Sequence, residues 1–156
     1  MSLLVDIGTL LDEINSNIYY GDRPDTPNNC LVLYHTGGQP AVHSIGTQPS
    51  TLEKPTFQVE IRNESATAAL SQAYEVKDIL DGLTKQVINY ANYEAIFLQG
   101  DIFPLGKDDR ERTSVTVNFV AWVKRYRWVL SAFATSGKWI DSEVWVDTNT
   151  WKDWGD

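Results

Sequence analysis

Residues 113–128, TSVTVNFVAWVKRYRW, alternate in character over their whole length. Val115, Val117, Phe119, Ala121 and Val123 share one parity, and Thr116, Asn118, Val120, Trp122 and Lys124 share the other. Successive side chains of a β-strand point to opposite faces, so a period of two predicts a long strand with one buried face. TFQVEIRN, residues 56–63, repeats the pattern, with Phe57, Val59 and Ile61 on one side and Gln58, Glu60 and Arg62 on the other. Two half-buried strands require a sheet whose apolar face is covered by another layer.

Two stretches have the spacing to supply that layer. Leu3, Leu4, Ile7, Leu10, Leu11 and Ile14 recur at i, i+3, i+4 and i+7, which predicts a helix over roughly 2–15, ended by Asn15, Ser16 and Asn17. A second helix is predicted over 65–84, with Ala69, Leu70, Ala73, Val76, Ile79, Leu80 and Leu83 as its apolar stripe. Asn63 or Ser65 can cap it, and Glu64 sits favourably near its positive end. Between the helices, YYGDRPDTPNN (19–29) reads as loop and CLVLYHT (30–36) as a buried strand. Residues 37–55, rich in glycine and proline, read as a long loop of the kind that is usually functional or mobile. QVINYA (86–91) is a small further piece, YEAIFLQ (93–99) reads as strand, and residues 100–112 are turn-rich. The order predicts an α+β fold: a mostly antiparallel sheet with helices on one face.

Composition narrows the function classes. At 156 residues the chain has the size of one domain, and no apolar run is long enough to cross a bilayer. The first residues lack a basic region ahead of the apolar ones, which argues against a secretory signal. A single cysteine, Cys30, excludes an intramolecular disulfide and a cysteine-rich zinc site. The net charge of −8 opposes a phosphate-gripping surface, although residues 101–127 are net positive. No phosphate-binding glycine loop, HExxH, GxSxG or CxxC motif is present. Cys30 and His35 have opposite parity on one strand and form no dyad; Cys30 reads as a core filler and His35 and His43 as ordinary polar groups. Glu60 and Asp101 could meet across a sheet, but nothing in the sequence brings them together, and no enzyme, metal or cofactor is expected. Asn63-Glu64-Ser65 matches a glycosylation sequon, read here as chance. KDDRER (107–112) holds both signs of charge between two strands and reads equally as a solvated hairpin or an intersubunit salt-bridge loop.

All six tryptophans lie from Trp122 onward. Beyond Arg127, Trp139, Asp141, Glu143, Trp145, Asp147 and Asn149 share one parity after a Ser136-Gly137 turn signal. Three readings stand: a hairpin capping the core, an aromatic patch for a protein partner, or a carbohydrate-stacking surface.

Three pieces together carry a family resemblance: Pro24 to Gly38 (PDTPNNCLVLYHTGG), Pro55 to Asn63 (PTFQVEIRN), and PLGKDDRER ahead of the long strand. Over roughly residues 3–125 the chain resembles the minor capsid and tail-terminator (tail completion) proteins of long-tailed bacteriophages. The resemblance implies a virion structural protein, not an enzyme and without a cofactor. It would form a hexameric ring at the head-proximal end of the tail tube, ending tube growth and making the joint to the neck. Its partners would be other copies of itself, the tail-tube protein and a neck or head-completion protein. Genomic DNA would pass through the lumen without specific binding, and no membrane would be involved. The protein would assemble in the host cytoplasm and reside in the virion.

Residues 1–127 are then a tail-terminator-like domain, and residues 128–156 an appended Trp-rich, β-like extension rather than an independent domain. Candidate assembly-interface residues are Arg62, Asp101, Lys107, Asp108, Asp109, Arg110 and Arg112; candidate partner-contact aromatics are Trp139, Trp145, Trp151 and Trp154. A head-completion or stopper ring is the alternative within the virion class, and a Trp-based carbohydrate-binding module is the alternative outside it.

Overall fold

The computed structural model describes residues 3–43 and 50–126. The chain divides into two compact units, Met1–Ala41 with Leu52–Lys124, and Val42–Thr51 with Arg125–Asp156. Only residues 42–43, 50–51 and 125–126 of the second unit are described, and His43 Nδ1 and Thr51 Oγ1 lie 3.2 Å apart within it. The account below concerns the first unit.

The elements in chain order are α1 (Leu3–Leu11), β1 (Ile18–Tyr20), β2 (Cys30–His43), β3 (Ser50–Asn63), α2 (Ala66–Leu80), β4 (Thr84–Ile88), β5 (Ala91–Leu98), β6 (Phe103–Lys107) and β7 (Thr113–Tyr126). Among the described residues seven strands form one sheet in the order β1-β2-β3-β7-β5-β4, with β6 also paired to β7. β1 runs parallel to β2, whereas β4, β5 and β6 make antiparallel pairs. Cross-strand contacts show that the centre is antiparallel too. Tyr34 meets Glu60 and Thr36 meets Thr56 between β2 and β3; Gln58 meets Asn118 and Lys54 lies over Trp122 between β3 and β7. In each pair of strands the partner numbers run in opposite directions. The α+β expectation, a mostly antiparallel sheet with helices on one face, is what the structure has.

The alternating parity decides the core. Phe57, Val59 and Ile61 of β3 and Val115 through Val123 of β7, at odd positions, are buried with Leu31 and Leu33 of β2. Leu3, Ile7 and Leu11 of α1 and Ala69, Ala73, Val76 and Leu80 of α2 complete the cluster. Phe57 and Phe119 stack with centroids 5.4 Å apart, an offset ring pair at the centre of the sheet. Ser65 caps α2 by accepting the Ala68 amide, and Asn63 in turn accepts the Ser65 amide. Asp6, buried on α1, accepts Tyr93 Oη at 2.7 Å and Asn89 Nδ2 at 2.9 Å, fixing the helix to the β4–β5 hairpin.

Four expectations are corrected. The long loop at 37–55 is largely strand: β2 runs on to His43 and β3 starts at Ser50. Here Gly38 serves close strand approach, since a Cβ on it would stand 2.7 Å from the Lys54 carbonyl oxygen. Pro40 is tolerated because β1 pairs with Leu31–Leu33, so among the described residues no strand pairs with that edge of β2 beyond them. Part of the turn-rich stretch at 100–112 is strand β6, and the 19–29 loop begins with the short strand β1. Leu70, expected in the buried stripe of α2, is exposed at the helix surface.

Candidate functional site

The even positions of the central strands make the second face of the sheet, away from the helices. Cys30 and Val32 of β2, Glu60 and Arg62 of β3, and Ser114 and Thr116 of β7 are all buried there. Residues 21–29 lie across this face as a strap joining β1 to β2, held by charged side chains. Arg23 Nη1 donates to Glu60 Oε1 at 2.8 Å, and Tyr34 Oη donates to Glu60 Oε2 at 3.2 Å. Arg62 Nη2 donates to the Pro27 carbonyl at 2.6 Å, and Asn28 Nδ2 donates to Glu64 at 2.5 Å. From the turn just before β7, Arg112 Nη1 reaches the Asp25 carbonyl at 2.5 Å and Asn28 Oδ1 at 3.2 Å.

The turn between β6 and β7 is organised by one carboxylate. Asp108 accepts the Arg112 Nε at 2.8 Å and, through its other oxygen, the backbone amides of Arg110 and Arg112. The Arg112 guanidinium, hydrogen-bonded to it, holds the Asp108 carboxyl well below the usual carboxylate range, and the same bond raises Arg112. Glu111 adopts φ +60 to close the turn, and Lys107 pairs with it at 2.7 Å. Arg110 Nη2 meets Asp25 Oδ2 at 2.5 Å, tying the turn to the strap. Elsewhere on this face, burial pushes Tyr34 up to about 12, assisted by the charge and hydrogen bond of Glu60. Burial likewise raises the Cys30 thiol.

The sequence-derived candidates therefore fall into two groups. Arg62 and Arg112 are buried, and with Asp108 they hold the strap and the turn in place. Asp101, Lys107, Asp109 and Arg110 are exposed, and Asp101 caps its own turn by accepting the Ile102 amide. Glu60 engages Arg23 and Tyr34, and no contact between Glu60 and Asp101 is seen among the described residues. Trp139, Trp145, Trp151 and Trp154 lie outside the described residues. Sequence reasoning missed Arg23, Asp25 and Asn28, whose partners are 36 to 87 residues away. It also missed the apolar side chains left on outer strands: Phe103 and Leu105 on β6 are 61% and 55% exposed, and Val87 on β4 is 68% exposed. Among the described residues no group of three or more His, Cys, Asp or Glu is placed to hold a metal ion, and no helix is long and apolar enough to cross a membrane.

The fold has counterparts among solved structures. It matches a chain of the "virion of native gene transfer agent (GTA) particle" with a TM-score of 0.52 at 15% identity, covering 80% of this chain and 96% of that one. A second solved chain matches with a TM-score of 0.48, also at 15% identity, over 78% of this chain and 93% of that one. No curated protein matches in sequence. Residues 4–125 match the family described as bacteriophage tail terminator protein, and the chain belongs to that family. It is a structural protein of a phage tail.

Proposed function

We propose that this protein is the ring-forming tail terminator that ends growth of the tail tube at its head-proximal end and joins it to the neck. The observation that carries the reading is the family match over residues 4–125, which spans both helices and almost all of the sheet. The surface supports it. Phe103 and Leu105 stand on β6, which among the described residues pairs with β7 alone, so this strand offers apolar side chains and a backbone edge to a neighbour. Asp101, Lys107, Asp109 and Arg110 flank that strand and supply both signs of charge for orienting the contact. Arg62, Asp108 and Arg112 act from within, fixing the shape of the turn that carries them. The partners are further copies of the chain, in a hexameric ring, together with the tail-tube protein and a neck protein. The net charge of −8 suits a channel wall along which DNA slides without binding. Residues 1–127 form the terminator body and residues 128–156 an appended segment, and the protein carries out no catalysis.

The test is to measure the solution mass of the full chain with and without purified tail tubes, to image the mixture by electron microscopy, and to inspect tails made without the gene. Rings capping one end of the tube, and overlong tubes in the absence of the gene, are expected. A chain that stays monomeric and never binds tube ends, with tails of normal length in its absence, overturns the proposal.

A further inference from the structure

We propose that residues 21–29 are a latch that opens over the second face of the sheet while the rest of the domain stays folded. The strap contributes no side chain to the apolar core. Gly21, Asp22, Arg23, Asp25, Thr26, Asn28 and Asn29 are exposed even though the strap covers a buried face. It is fastened instead by polar contacts: Arg23 to Glu60, Arg62 to the Pro27 carbonyl, Asn28 to Glu64, and Arg110 and Arg112 to Asp25. A segment with few buried apolar contacts opens at a free energy well below that of global unfolding.

What lies beneath the strap favours opening. Arg62 Nε and Ser114 Oγ are buried with no hydrogen-bond partner. The register set by Gln58–Asn118 and by the Phe57–Phe119 stack, continued along the two strands, pairs Arg62 with Ser114 on the same face. A buried polar group without a partner raises the free energy of the state that buries it, and water reaching the pair on opening removes that cost. The closed strap is thus held by exchangeable charge pairs over a surface that is better solvated when open. Opening uncovers an arginine, a serine hydroxyl and Val32 on a rigid sheet, without moving the helices or the core.

Cys30 reports on this motion. It is the single cysteine, it is fully buried on the covered face, and the charges acting on it are those of Arg62, Glu60, Arg112 and Arg23. The full chain is reacted with excess aromatic disulfide reagent under native conditions, and urea unfolding is followed on the same samples. Arg110 and Asp25 are both exposed, and Arg112 keeps its pairing with Asp108, so R110A and D25A leave the core and the buried Glu60 pair intact. Each is expected to speed Cys30 labelling about two- to fivefold, the scale of one surface ion pair, with an unchanged urea midpoint. Raised salt is expected to speed labelling of the unaltered chain in the same way. Labelling at the unaltered rate in both variants, or faster labelling matched by an equal loss of global stability, overturns the latch.

Discussion

Replacing Tyr93 by phenylalanine tests the tie between α1 and the β4–β5 hairpin without disturbing its packing. The ring is 1% exposed and its hydroxyl donates to Asp6 Oδ2 at 2.7 Å; Asp6 is also 1% exposed. The substitution keeps the apolar volume and leaves one oxygen of a buried carboxyl without this donor, while Asn89 still serves the other oxygen at 2.9 Å. Leaving a buried acceptor unsatisfied costs about 1–3 kcal/mol. With a urea m-value of about 2 kcal/mol/M for a domain of this size, the midpoint should fall by about 0.5–1.5 M at constant m. Asn89→Ala removes the second donor, and because the two share one carboxyl the double variant should depart from additivity by at least about 0.5 kcal/mol. Equilibrium urea unfolding followed by tryptophan fluorescence, with circular dichroism as a second probe, reads all three variants. A Tyr93→Phe midpoint within about 0.2 M of the parent would refute the reasoning, because the carboxyl would then be solvated rather than held by the hairpin.

Three further outcomes follow from the same geometry. Tyr34, raised from 10.0 to about 12 in the folded chain, contributes stability that is complete below its unfolded value and lost as the pH rises through its folded one. A phenol titration in which all seven tyrosines ionise together near the ordinary value would refute that. Asp108 is held below the carboxylate range by Arg112, so its contribution is present above the unfolded value and lost as the pH falls; Asp108→Asn should therefore destabilise at neutral pH and converge with the parent in strong acid, as read by urea midpoints across pH. Phe103→Ser with Leu105→Ser alters side chains already facing solvent, so the melting curve should barely move while ring formation on tail tubes is lost; unimpaired rings in micrographs would place the contact elsewhere.

Alternation was readable wherever one side of a strand is buried. In β3 and β7 the odd residues enter the core and the even ones do not, so burial itself wrote the period into the chain. Where neither side is buried the signal disappears. The five residues of β6 are all exposed, and β2 from His35 onward is exposed on both parities, so nothing required apolar residues at alternate positions there. Backbone pairing with β7 and β3, rather than side-chain chemistry, makes these stretches strands.

The sequence alone thus determined the two helices, a cap at Asn63 or Ser65, the faces of the central strands and the α+β class, because each depends on spacing within about fifteen residues. It also held the family resemblance, which is carried by segments of the terminator body. Tertiary structure decided which candidate residues turn outward and which are locked inside. Arg62 and Arg112 look alike on paper beside Lys107 and Arg110, yet the first two are buried under a strap anchored from Asp25, Pro27 and Asn28, and the last two reach solvent. That division depends on contacts between residues 35 to 87 positions apart, and only folding brings such residues together.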